Sequence, residues 1–435
     1  MDLEALRRRL QETPTAQVRG RVLAVTGLAL RFALPGARVG DVVLVQRRGE
    51  PLPCEVVGFS EGVAIGMPLG SLVGVGPDDE VRPTGAPFRV PVGEGLLGRV
   101  VDGLGRFLDG GPALDPESET VAADRAPPRA LERPPIDRAF PTGVRVIDAL
   151  LTLGEGQRVG LFAGSGVGKT TLLGAIARGA EADVVVCALV GERGREVREL
   201  LEQLGDAGRA KAIVVAATSD VPALERVRSA EIATAYAEWL RDRGLRVLLV
   251  VDSITRYARA LREIGLSAGE PPTRRGYPPS VFAALPRLLE RAGRGGGAGG
   301  GSVTAIYTVL VEGGDLDEPV ADEVRGILDG HIVLDRALAE RGRFPAVSAP
   351  ASVSRLMSAV ATREHQRLAA RLRALLVAYE SKRDLVQLGA YTKGGDRTLD
   401  EALAKLARIE RLLAQAPSDR APFDGTVAAL EDLVG

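Results

Sequence analysis

Hydrophobic and polar positions change their period along the chain, and each change predicts a different kind of structure. Over residues 19–90 short apolar runs alternate with polar positions, as in Arg21-Val22-Leu23-Ala24-Val25, Asp41-Val42-Val43-Leu44-Val45 and Glu55-Val56-Val57-Gly58-Phe59. Turn residues separate these runs every eight to twelve positions, which predicts a small β-barrel. From about 140 to 350 apolar strand runs alternate with helical patterns. That rhythm predicts an α/β domain with a mainly parallel sheet. Core strands are expected near 158–163, 184–190, 213–217, 246–251, 303–309 and 331–334. The intervening 91–135 stretch carries a strand signal at 97–101 and then a proline-rich link. Beyond 358 the period becomes helical. Leu368, Leu372, Leu375, Leu376 and Tyr379 form one apolar stripe, residues 399–413 a second amphipathic helix, and Gly394-Gly395 separates them. At the other end, Leu3, Leu6 and Leu10 share a helical face, so residues 1–18 read as a short helix that caps its own domain or docks a partner. The glycine-rich run 294–301 has no Lys-Thr after it and reads as a flexible connection.

One junction between strand and helix carries chemistry. The apolar run ending at Ala163 passes into Gly164-Ser165-Gly166-Val167-Gly168-Lys169-Thr170-Thr171, and an apolar helix follows. This is a phosphate-binding P-loop in its expected setting. Its glycines let backbone N–H groups turn around a polyphosphate. Lys169 can reach the β- and γ-phosphates, and the Thr170 hydroxyl can ligate Mg²⁺. Ala163 replaces the first glycine of the usual motif and is small enough to fit. The chain is therefore expected to bind ATP with Mg²⁺.

Hydrolysis needs a carboxylate for the metal, a group to position water, and a cation for the transition state. Asp252 ends the apolar run 247–251, where ligand sites of open α/β sheets lie. Glu192 ends another such run and can orient the attacking water. Glu196, one turn further on, can help order the metal's water shell. Acidic residues at a helix start also simply suit the helix dipole, and from residue type alone the two readings of Glu192 stand level. Arginine is too abundant to choose from: Arg193, Arg195, Arg256, Arg336, Arg341 and Arg355 are all candidates. Phe344, before Pro345, can stack on adenine or anchor its loop.

Composition narrows the classes. The 435 residues allow two or three domains, and 45% hydrophobic with 26% charged residues fits a globular protein. A net charge of −1 argues against broad electrostatic capture of nucleic acid. Two cysteines, Cys54 and Cys187, give no disulfide framework or zinc spacing, and His331 and His365 read as structural. The charged N-terminus lacks a signal-peptide core, and no apolar run approaches the ~18 residues of a membrane span. A cytoplasmic location is expected, with membranes met only through partners.

Together these segments resemble the rotary-ATPase catalytic subunit superfamily and, within it, the ATPases of type III protein export in flagella and injectisomes. The likeness covers nearly the whole chain. It is carried by residues 141–148, the P-loop, 191–196, 263–282 and 317–323, the last two runs being specific to export ATPases. The resemblance implies a P-loop NTPase core (91–357) with an N-terminal small β-barrel (19–90) and a C-terminal helical domain (358–435); the helical spacing at 1–18 adds an expected docking helix before them. It also implies a homohexamer with nucleotide between subunits. By this likeness Glu192 is the catalytic carboxylate, so the catalytic set is Lys169, Glu192, Arg193 and Arg355. Arg355, in Ser352-Val353-Ser354-Arg355, becomes the finger reaching a neighbour's γ-phosphate, and Phe344 the adenine-stacking aromatic. Asp252, Thr170 and Glu196 serve the metal, and the 271–282 loop faces the ring's pore. Implied partners are stator and central-stalk proteins and chaperone–effector complexes, with the ring peripheral at the inner-membrane export apparatus and no nucleic acid bound. The implied work is ATP-driven release of chaperones and unfolding of export substrates. The Thr273-Arg274-Arg275-Gly276-Tyr277 loop leans towards an injectisome, with a flagellar ATPase as the alternative. A rotary ATP synthase catalytic subunit shares the P-loop and Glu192 segments but lacks the 317–323 pattern, and an RNA translocase would want a basic, aromatic barrel. Gly314 departs from the family, standing where an acidic residue is usual, and the insert at 295–301 is longer than expected.

Overall fold

The computed structural model describes residues 18–296 and 300–435. The helix expected over 1–18 thus falls, apart from Val18, outside the described residues, as does the centre of the glycine-rich run. The chain divides into two compact units. One runs up to Arg89 and takes in Glu263–Pro271; the other comprises Val90–Arg262 and Pro272–Gly435.

The first unit holds a closed barrel of six strands, Gly20–Thr26, Ala29–Ala33, Asp41–Gln46, Leu52–Ser60, Val63–Pro68 and Glu80–Pro87, joined in the order 1-2-5-4-3-6. Alternation along each strand turns Val22, Leu30, Phe32, Val43, Val45, Val56 and Val81 into one core. Gly66 is needed for close approach: a Cβ there would lie 2.5 Å from the Phe32 ring that fills the barrel.

The second unit is built on a nine-stranded sheet. Its central strands lie in the order Gly330–Val333, Arg158–Ala163, Ser302–Leu310, Arg246–Asp252, Val184–Glu192 and Ala212–Thr218, all parallel. All six expected core strands are present. Continuous apolar runs suit strands buried on both faces. The C-terminal ends of Arg158–Ala163, Val184–Glu192 and Arg246–Asp252 come to one edge of the sheet.

Two features depart from the sequence pattern. Val100–Asp102, from the connector, adds a parallel strand beside Ala212–Thr218. The helix Ala223–Arg241 lies against the sheet and is covered by the connector strand Thr120–Ala122, so it is buried nearly all round and shows no amphipathic period. Several of its polar residues are paired rather than solvated. Glu238, 2% exposed, accepts Arg291 Nε (3.0 Å) and Nη2 (2.8 Å), while Arg291, 1% exposed, also donates to the Ala123 carbonyl (2.8 Å). Glu238→Ala leaves a buried guanidinium without its carboxylate and should cost about 3–5 kcal/mol of stability. Denaturant unfolding checks this; a loss near zero would mean that Arg291 reaches water or another acid.

The C-terminal region is helical, with Arg363–Gln387, Arg397–Leu413 and a third helix, Phe423–Val434, that the sequence pattern did not single out. Leu368, Leu372, Leu375 and Leu376 join a core with Ile147, Leu150, Leu430 and Leu433. His365 is buried beneath this helix start and donates to the Ala149 carbonyl (2.9 Å); His331 bonds to the Ala351 carbonyl (3.1 Å). Both cysteines are free and buried.

Candidate functional site

The strand Arg158–Ala163 ends fully buried, and Val311 N–H donates to the Ala163 carbonyl (3.1 Å), so the small side chain at 163 fits the turn. Gly166 and Gly168 have φ of +76° and +89°, a region that L side chains rarely enter. Val167 between them is buried and pins the loop to the core. The helix Lys169–Gly179 starts immediately after, so its free N–H groups and dipole face whatever the loop encloses. Here Gly164, Ser165, Gly166, Val167, Gly168, Lys169, Thr170 and Thr171 wall a cleft of about 1170 Å³, large enough for a nucleoside triphosphate.

Two strand ends bring carboxylates to Lys169. Its ammonium donates to Asp252 Oδ1 and to Glu192 Oε1 (3.3 Å). Asp252 also accepts a 2.6 Å hydrogen bond from the Thr308 hydroxyl. Glu192 is gripped on its other side by Arg256, through Nε to Oε1 (3.2 Å) and Nη2 to Oε2 (3.0 Å). Both acids are almost completely buried. Burial works against the Lys169 ammonium, but Asp252 and Glu192 outweigh it and raise the lysine pKa above its ordinary value. Burial likewise raises Glu192 above the usual carboxylate range; Lys169 opposes the shift, the neighbouring Glu196 carboxyl adds to it, and Arg256 opposes it. A carboxylate whose environment favours its protonated form is a better base than an ordinary glutamate.

Arg193 and Glu196 lie at the start of the helix Gly194–Ala210 and line the same cleft. Glu196 therefore stands in the first helical turn, where it meets the dipole, and beside Glu192 as well. Phe344 is 43% exposed, and its ring lies 3.5 Å from the position of a Cβ on Gly168. Gly314 lies on the cleft wall with φ +79°, so glycine suits the backbone there, and the neighbouring Asp315 turns to Arg275 (3.4 Å). Oxygen donors at Thr170 and Asp252 suit Mg²⁺, which takes one or two protein oxygens and completes its shell with phosphate and water.

Arg355 is elsewhere. It is exposed, follows the edge strand Val353–Ser354, and its backbone N–H donates to the Asp329 carbonyl (3.0 Å). Asp329 N–H in turn donates to the Arg158 carbonyl (2.9 Å), at the opposite end of the strand that leads into the P-loop. Arg158 and Ala163 are five residues apart, roughly 17 Å along a strand. The fold thus gathers Lys169, Thr170, Glu192, Arg193, Glu196, Asp252 and Phe344, and leaves Arg355 outside. Thr308 went unnoticed in the sequence. The signal was a hydroxyl inside the apolar run Ala305-Ile306-Tyr307-Thr308-Val309-Leu310.

Residues 143–354 match the ATP synthase alpha/beta family, nucleotide-binding domain, and residues 361–432 match the T3SS EscN ATPase C-terminal domain. The flagellum-specific ATP synthase of Bacillus subtilis is 49% identical over 96% of this chain and 95% of its own length. The chain belongs to the export ATPases of type III secretion and flagella. The type 3 secretion system ATPase of Xanthomonas euvesicatoria is equally close, 49% identical over 98% of this chain and 96% of its own. The assembled ATPase EscN of enteropathogenic E. coli superposes on this export ATPase with a TM-score of 0.90 and 44% identity, covering 96% of this chain and 100% of that one. EscN has also been solved in complex with its central stalk EscO (TM-score 0.88, 43% identity, covering 96% of this chain and 100% of that one). The expected fold class holds: an N-terminal small barrel, a P-loop core with a mainly parallel sheet, and a helical C-terminal region. Among the described residues no helix is long and apolar enough to cross a membrane.

Proposed function

We propose that this ATPase is the ATP-hydrolysing motor of a type III secretion apparatus, working as a homohexameric ring whose active sites lie between protomers. The P-loop amides and Lys169 hold the polyphosphate, Lys169 leaving its two acids to do so. Glu192 accepts a proton from the attacking water, and Arg256 and Arg193 flank it. Thr170 and Asp252 would hold Mg²⁺, with Glu196 placed to help order its water shell. Bound there, Mg²⁺ would neutralise phosphate charge. Phe344 stacks on adenine. Arg355 completes the site of the adjacent protomer.

The observation that carries the shared-site reading is the separation of Arg355 from the P-loop of its own chain. A cation at the far end of the strand is too distant to serve its own cleft and is free to serve a neighbour's. In such a ring the 271–282 loop faces the pore, and the solved complex of EscN with EscO supports a central-stalk partner here too. Stator proteins and chaperone–effector complexes are the further partners, with the ring at the cytoplasmic, peripheral side of the inner-membrane apparatus. Chaperone release and substrate unfolding are its work. The Thr273-Arg274-Arg275-Gly276-Tyr277 loop favours an injectisome over a flagellum. Hydrolysis per protomer should rise with protein concentration and level off once light scattering reports full assembly. Constant specific activity from a proven monomer would overturn the shared site.

A further inference from the structure

The strand Ser302–Leu310 lies between the strand that feeds the P-loop and the strand that ends in Asp252. Thr308 pairs with Leu161 on one side, and on the other side Tyr307 pairs with Val251, which places Thr308 one step along from Val251 and level with Asp252. It is fully buried. Its hydroxyl donates to Asp252 Oδ1 (2.6 Å), the same oxygen that accepts the Lys169 ammonium. At the end of the same strand, Leu310 N–H donates to Thr255 Oγ1 (2.8 Å), in the helix that follows Asp252. Two bonds therefore tie this strand to the Asp252 segment.

A threonine inside a strand needs no function, since its shape suits the pleated sheet. Thr304 is the comparison within this chain. It lies on the same strand, is also buried, and its hydroxyl accepts the Gly156 N–H (2.9 Å), a backbone partner far from the cleft. Thr308 instead donates to a buried carboxylate. Bonds of that kind are stronger than neutral ones, and losing one leaves a charged oxygen unsatisfied.

We propose that Thr308 is a positioning residue for Mg²⁺–nucleotide binding. Its hydroxyl holds the Asp252 carboxylate in one orientation after Lys169 has turned to the phosphates. In the structure Oδ1 has two donors, an ammonium and a hydroxyl. Nucleotide draws the ammonium away, and the hydroxyl is the donor that stays. Holding Oδ1 fixes the plane of the carboxylate, and so which oxygen is left for the metal's water shell. This rests on the reading of Asp252 as the metal's carboxylate.

The test is a fluorescence titration of full-length protein with mant-ADP, in Mg²⁺ and in EDTA. Thr308→Val keeps the shape and removes the hydroxyl. It should weaken binding about tenfold in Mg²⁺, the scale of one hydrogen bond to a charged group, and leave binding in EDTA unchanged. Thr308→Ser should restore the Mg²⁺-dependent affinity, and Thr304→Val should behave as wild type. If circular dichroism finds the valine variant unfolded, Thr308→Ala is read by the same two titrations. Equal losses in Mg²⁺ and EDTA, no loss in either, or failure of serine to rescue would each overturn the proposal. If Asp252→Asn abolishes the Mg²⁺ dependence while Thr308→Val leaves it intact, only the role of Thr308 falls. A wild-type protein indifferent to Mg²⁺ would bring down the Asp252 reading as well.

Discussion

Glu192→Gln should bind ATP as the wild type does and hydrolyse it at least ~10²-fold more slowly, within the 10²–10⁴ range of a positioned general base. Glutamine keeps the size of the side chain and an oxygen for Lys169 and Arg256, but it cannot take a proton. Loss of the negative charge leaves Lys169 with Asp252 as its remaining anion among its described partners, which frees the ammonium for phosphate rather than holding it back. Nucleotide affinity is therefore expected to be retained or slightly improved. Equilibrium binding together with single-turnover hydrolysis separates the two effects. Full turnover by the glutamine variant would remove Glu192 from the chemistry. Weakened binding with an unchanged rate constant would make it a structural partner of Lys169 instead.

Arg355→Ala should lower hydrolysis by ~10³–10⁵-fold, the range for a cation supplied in trans. Stability should change little, because the side chain is exposed and makes a long, 3.4 Å bond from Nη2 to the Arg325 carbonyl. The decisive measurement mixes this variant with Glu192→Gln. Each should be nearly inactive alone, one for want of a finger and the other for want of a base. In a head-to-tail ring of both at equal amounts, about a quarter of the interfaces join an intact base to an intact finger. Activity should reappear well above the sum of the separate proteins. Its absence from rings proven to be mixed would confine both residues to one chain and contradict the shared site.

How much of this was legible beforehand differs from residue to residue. The P-loop was readable because its parts are contiguous: a strand, glycines that can take positive φ, a lysine and a helix start. The placement of Asp252 and Glu192 was readable by a general rule, that polar residues ending apolar strands meet at one sheet edge, but the choice of Glu192 as base over a helix-start acid came from family resemblance. The barrel was readable by its alternation. The helix Ala223–Arg241 was not, because it is covered on every side and its pattern lacks the polar face on which periodicity depends. Val100–Asp102 looked like a local strand in a connector, and nothing nearby in the chain announces the pairing with Ala212–Thr218. Arg355 emerged from a crowd of arginines only through family resemblance, and its distance from its own P-loop only from the strand register.

The sequence by itself determined the local pieces: which runs become strands, where the phosphate turn lies, and which family's motifs they carry. These are properties of neighbouring residues, governed by backbone freedom and by the period of apolar positions. Tertiary structure alone decided the partnerships. Lys169 meets Glu192 across 23 positions and Asp252 across 83, and Thr308 meets Asp252 across 56. Such meetings depend on strand order and on a register that is settled by packing the whole sheet, because a slip of one residue turns each side chain to the other face.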